Sequence, residues 1–176
     1  CFDGDCGGVD FRPPSSTHRV LIAGDETAVP AVAAILERLP GHIEARVLLE
    51  VPLSQDAEAI KRDLPRVASG VAVDVAARDG SDHGVKLIPA VREAVERLLP
   101  TSAPGGELED VDVDSTLLWE SPGAAAQTSH GGLYAWLAGE AAVIKTLRRH
   151  LVSERGVNRK SVAFMGYWRQ GRPEGG

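Results

Sequence analysis

Cysteine is almost missing from this chain of 176 residues. There are two, Cys1 and Cys6, both in a ragged start rich in Gly, Pro, Ser and Asp. A zinc site would need two further ligands nearby, and none is close in sequence. A cysteine-free remainder suits a reducing compartment, so a cytoplasmic protein is expected. Long apolar runs are missing too: none approaches the ~18–20 residues of a membrane span. No positively charged start leads into an apolar core, so no signal peptide is read. Because residue 1 is Cys and not Met, the chain is expected to be trimmed or a piece of something longer. Nucleophile elbows, paired-carboxylate patterns and metal clusters do not appear. His18, His42, His130 and His150 have no carboxylate, Cys or Ser partner at a recognisable spacing. The acids at 107–114 lack the glycine and terminal glutamate of a calcium loop.

What is present is the composition of an ordinary globular domain, 43% apolar and 25% charged. The net charge of −6 is uneven: residues 145–172 carry +7, leaving −13 on the rest. An acidic whole argues against general nucleic-acid binding. A basic C-terminal segment suits either a local anionic ligand or a solvated helix face.

The pattern is alternating. Strands are expected at 19–24, 45–51, 71–77, 133–138 and 161–168, helices at 27–39, 85–99 and 140–155, and a weak polar helix or turn at 54–64. That order predicts an α/β fold, a five-stranded parallel Rossmann-like sheet with strand one in the middle. Its switch crevice would lie between the first strand and the fourth, where such sheets bind ligands. Residues 1–18 read as a linker or frayed arm, 19–172 as the domain and 173–176 as a tail. The stretch 100–131 is longer than a compact fold needs, with a short extended piece expected around Leu117–Glu120.

Two Gly-acid turns flank the predicted crevice. In RVLIAGDETAVP, Gly24 and Thr27 and the free amides of a first helical turn could meet a pyrophosphate. Asp25 and Glu26 would repel phosphate, so they are expected to cap the helix and shape the edge. Gly139, Glu140 and Ala141 form the facing turn. Arg78 ends the third strand, where a cation can meet a ribose 2′-phosphate, with His83 and Lys86 nearby. Tyr167 and Trp168 end the fifth strand and can either stack on a flat ring or pack in the core.

Together, AGDETAVPA, AGEAAVIKTLRRHL and GYWRQG resemble the C-terminal domain of the siderophore-interacting proteins, flavin-dependent ferric-siderophore reductases. The resemblance covers residues 19–172. It implies an NAD(P)H-binding domain of the ferredoxin-reductase type, taking NADPH or NADH and passing hydride to FAD. The flavin then reduces Fe(III) in a bound ferric siderophore to Fe(II). It implies a cofactor edge of Gly24, Asp25, Glu26, Thr27, Arg78, Gly139, Glu140, Ala141, Tyr167 and Trp168, with Arg169 facing an anionic siderophore. The family's Arg-x-Tyr-(Thr/Ser) flavin motif is absent, so FAD is expected on a β-barrel supplied in cis or trans and not on this chain. Two alternatives remain: a non-catalytic siderophore-binding or partner module, and another flavin reductase of the same superfamily.

Overall fold

The computed structural model describes residues 11–99, 119–120 and 132–171. Strands β1 (Arg19–Asp25), β2 (Glu44–Val51) and β3 (Val71–Ala77) precede a two-residue β4 (Trp119–Glu120). They are followed by β5 (Leu133–Glu140) and β6 (Val162–Trp168). Five of them form the expected parallel sheet in the order β3-β2-β1-β5-β6, and β4 adds antiparallel to the outer side of β6. The switch point falls between β1 and β5, whose register runs from Arg19 opposite Leu133 to Gly24 opposite Ala138.

The central strands are apolar on both sides because each face carries its own core. Val20 and Ile22 of β1 pack with Val47, Leu49 and Trp136 under helices α1 (Val29–Arg38) and α2 (Ser54–Asp63). Leu21 and Ala23 turn the other way, towards α3 (Leu87–Leu98) and α4 (Ala141–Arg149). This is the two-residue alternation of a strand, here with both faces covered. The helices present the matching stripes: Val32, Ile35 and Leu36 on α1, Val91 and Val95 on α3, Ile144 and Leu147 on α4 are buried. Each fully buried side chain of this kind contributes roughly 1.5–3 kcal/mol.

The elements differ from expectation at their ends. β1 runs one residue further, to Asp25, and a short 3-10 turn (Glu26–Ala28) precedes α1. The carboxylate of Asp25 accepts the Thr27 amide at 3.0 Å and holds that turn. α4 gives way at His150–Glu154 to a wider turn, closed by the Arg155 amide on the His150 carbonyl at 3.0 Å. The arm needs correction in its second part. Pro14 and Thr17 are buried, the Phe11 ring meets Tyr134 edge-on at 5.4 Å, and the Arg12 amide donates to the Tyr134 hydroxyl. Residues 11–18 are thus packed on the sheet and not frayed. Residues 1–10, most of 100–131 and the tail lie outside the described residues.

Among the described residues β3 ends the sheet, and one of its faces is open. Ala72 and Asp74 are exposed there, and Asp74 takes the Arg46 guanidinium of β2 at 2.6 Å. Among the described residues no helix is long and apolar enough to cross a membrane.

Leu147 is fully buried between α4 and the sheet, whereas Leu53 is 46% exposed. Leu147→Ala is expected to cost about 2–5 kcal/mol in urea denaturation. Leu53→Ala is expected to stay within about 0.5 kcal/mol.

Candidate functional site

Three carboxylates stand at the carboxyl ends of neighbouring strands: Asp25 on β1, Glu50 on β2 and Glu140 on β5. All are nearly sealed from solvent, at 4%, 1% and 5% exposure. A buried charge needs hydrogen-bond donors around it. Each of the three finds them in backbone amides. Glu50 accepts from Gly84, Lys86 and Leu87 at 2.8, 2.8 and 3.1 Å, at the start of α3. Glu140 caps α4, accepting from Ala142 and Val143 at 2.9 and 3.0 Å, and also takes the Gln170 amide at 3.2 Å. An acid at a helix start also meets the positive end of the helix dipole.

Asp25 joins three strands. One oxygen accepts from the Thr27 amide and hydroxyl. The other accepts the Glu140 amide and the Trp168 indole N–H, each at 2.9 Å. Two glycines make this possible. At Gly139 (φ +151°) a Cβ would sit 2.7 Å from Asp25 Oδ2. At Gly24 a Cβ would meet the Ala138 carbonyl oxygen at 2.6 Å and the Ala28 Cβ at 2.7 Å. A β-bulge helps: Gly166 opposes Gly139, but Trp168 opposes Glu140, leaving Tyr167 as the extra residue. Trp168 thereby reaches across the end of β5 to Asp25, and His83 meets its ring edge-on at 4.7 Å. The switch crevice is therefore filled by the chain's own indole and carboxylate. Tyr167 packs instead towards the α1 side of the sheet. Burial and the negative charge of Asp25 both push its phenol up.

Arg78 is placed differently from a cation awaiting a 2′-phosphate. Its side chain is 7% exposed and forks onto both oxygens of Glu26 at 2.9 Å, with Glu50 at 3.5 Å. This corrects the expectation of an open guanidinium, and of Glu26 as a helix cap; the cap is Asp25 alone. Burial pushes the Glu26 carboxyl up. The Arg78 hydrogen bond, a backbone hydrogen bond and the attraction of Arg78 and His83 together outweigh that and hold the carboxyl below the ordinary glutamate value. Burial likewise pulls Arg78 down, and the two glutamates more than reverse it.

Beside this edge lies a groove of about 730 Å³ between the loop before α3, the first turns of α4 and the segment after β6. His83, Glu140, Ala141, Lys145, Thr146 and Arg169 are in its wall. The basic C-terminal segment does not form one face. Lys145 and Arg169 line the groove, while Arg148 lies over the Phe164 ring at 4.6 Å and Arg155 donates to the Leu99 carbonyl. The structure thus brings together Asp25, Thr27, Gly139, Glu140, Trp168 and Arg169, and sets Glu26 with Arg78 as a separate pair. Sequence reasoning passed over Glu50, Thr146 and Gln170, and counted Lys145 only within the basic segment. Glu50 carried a signal: a lone acid in a strand expected to be buried on both faces must have partners.

Known proteins bear on this geometry. The model of the siderophore-interacting protein family matches residues 17–171. The chain belongs to the siderophore-interacting protein family. Uncharacterized proteins of Mycobacterium tuberculosis and Mycobacterium bovis are 29% identical over 169 residues, 95% of this chain and 50% of theirs. The chain therefore spans about half the length of the curated relatives it matches. The fold is similar to that of the siderophore-interacting protein from Acinetobacter baumannii, with TM-score 0.61 and 22% identity, over 93% of this chain and 51% of that one. A siderophore utilization protein from T. fusca is similar over 93% and 48%, with TM-score 0.59 and 23% identity.

Two outcomes follow from the carboxylates. Asp25→Asn turns an amide N–H₂ against groups that all donate, and is expected to cost about 1–3 kcal/mol in urea denaturation, with altered Trp168 fluorescence. The Glu26 pair stabilises the fold above the ordinary glutamate pKa and is lost as pH falls through the depressed folded value. Wild type should exceed Glu26→Gln in stability at neutral pH. The gap should close as denaturation curves are taken into acid.

Proposed function

We propose that this chain is the nucleotide-facing half of a flavin-dependent ferric-siderophore reductase. The groove of about 730 Å³ at the carboxyl edge carries the reading. Its size is that of a small-molecule site. Its donor set fits an anionic nucleotide: the Lys145 ammonium, the Arg169 guanidinium and the His83 imidazole lie in one wall system on an otherwise acidic body. Lys145 and Arg169 would hold the phosphates and neutralise their charge. Trp168, fixed by Asp25 and braced by His83, would bound the nicotinamide end and keep water from it. The chemistry supplied by the bound groups is hydride donation from NADPH or NADH to FAD and one-electron reduction of Fe(III) to Fe(II). FAD belongs in this reading to a flavin-binding β-barrel in cis or trans, and the reaction is a cytoplasmic one. Arg169, between two anchored neighbours, Trp168 and Gln170, would also steer an anionic ferric siderophore to the same opening.

A second reading, a siderophore-binding module that uses no nucleotide, has one observation in its favour. The amides at the starts of α3 and α4 that could receive a pyrophosphate already have Glu50 and Glu140 as acceptors.

Titration of the chain with NADH and NADPH separates the two. The first reading expects a melting temperature raised by about 2–4 °C for each kcal/mol of binding. It also expects the gain to shrink in Arg169→Ala. No shift with either coenzyme at millimolar concentration overturns it. Salt-sensitive binding of a ferric tris-catecholate under those conditions, weakened in Arg169→Ala, would establish the second.

A further inference from the structure

We propose that Glu26 makes this edge a site for NADH and rejects the 2′-phosphate of NADPH. The inference rests on the nucleotide reading above and puts the adenosine end outside the groove, past His83, which lines the groove and also attracts the Glu26 carboxylate. In sheets of this class the adenosine ribose lies at the carboxyl end of β2, where an acid takes its 2′-hydroxyl or an arginine takes a 2′-phosphate. The acid that ends β2 here is Glu50, which is 1% exposed and turned onto three amides of the α3 start. It cannot face a ribose. The arginine at this edge is Arg78, sealed beneath Glu26 with both fork positions already on that carboxylate and Glu50 at 3.5 Å.

What meets solvent is therefore the carboxylate. The Glu26 side chain is 32% exposed against 7% for Arg78. Two carboxylates around one guanidinium leave this trio with a net negative charge. Asp79 adds another at the end of β3, exposed and held by the Ser54 amide and hydroxyl at 3.0 and 2.6 Å. A ribose hydroxyl arriving here can donate to a carboxylate whose position Arg78 fixes. A 2′-phosphate meets like charge. To answer it, Arg78 would have to leave two acids behind, one of them fully buried. Discrimination comes as much from this repulsion as from any contact with the favoured ligand.

The test measures Kd for NADH and NADPH by calorimetry on the full chain, at low and high salt. NADH is expected to bind at least about tenfold tighter at low salt, with the ratio falling as salt screens the edge. Glu26→Gln, which keeps the shape and removes the charge, should bring the two within about threefold and make the ratio insensitive to salt. Glu58→Gln, on the outer face of α2, should leave the ratio where it was. Equal or tighter NADPH binding by the wild type overturns the inference while leaving the nucleotide reading intact. So does a preference that survives Glu26→Gln, or an NADPH preference abolished by Lys86→Ala. Binding of neither coenzyme overturns both readings together.

Discussion

The carboxylate of Asp25 is the junction on which this edge of the molecule depends. It sits at the end of the central strand and accepts from a turn, from the neighbouring strand and from an indole on the strand beyond. None of those donors is near it in sequence except Thr27. A single side chain thus ties residues 25, 140 and 168 into one rigid corner. The corner exists only because Gly139 has no Cβ and because the bulge at Tyr167 brings Trp168 opposite Glu140. Backbone permission, register and hydrogen bonding have to agree for it to form.

The same logic is repeated along the edge. Glu50 and Glu140 each gather the amides of a helix start, so both acids are inward structural groups in the fold. Buried carboxylates with all their donors in place make a stiff edge, since loosening any one leaves a charge without partners. The open groove lies beside this stiff edge and not within it. Its wall holds His83, which is braced against Trp168, together with the cations Lys145 and Arg169.

The alternating pattern made the layers legible. Val20 to Ala23 read as a strand covered on both faces because both faces of a central parallel strand are covered, and Ile144 and Leu147 announced the inner stripe of α4. The element order and right-handed crossovers put the two Gly-acid turns across the crevice, and they meet there. What spacing could not carry was the direction of side chains. Arg78 at a strand end is equally consistent with solvent or with burial, and the choice is made by Glu26, fifty-two residues earlier, closing over it. Trp168 and Tyr167 are adjacent letters with opposite destinations, and a bulge leaves no mark in composition. Family resemblance supplied the remainder, since one glycine and two acids form a poor phosphate turn by themselves.

The Arg46–Asp74 pair on the open face of β3 has a consequence of another kind. Among the described residues β3 has no strand on its outer side, and a row of open amides and carbonyls invites a strand from a second molecule. Asp74, held by Arg46 on the strand behind it, puts a half-exposed charge on β3, and an apolar strand arriving there would have to strip water from it. The ion pair does little for the fold it sits on. Its effect is on what the fold does not become: a sheet that keeps growing from molecule to molecule.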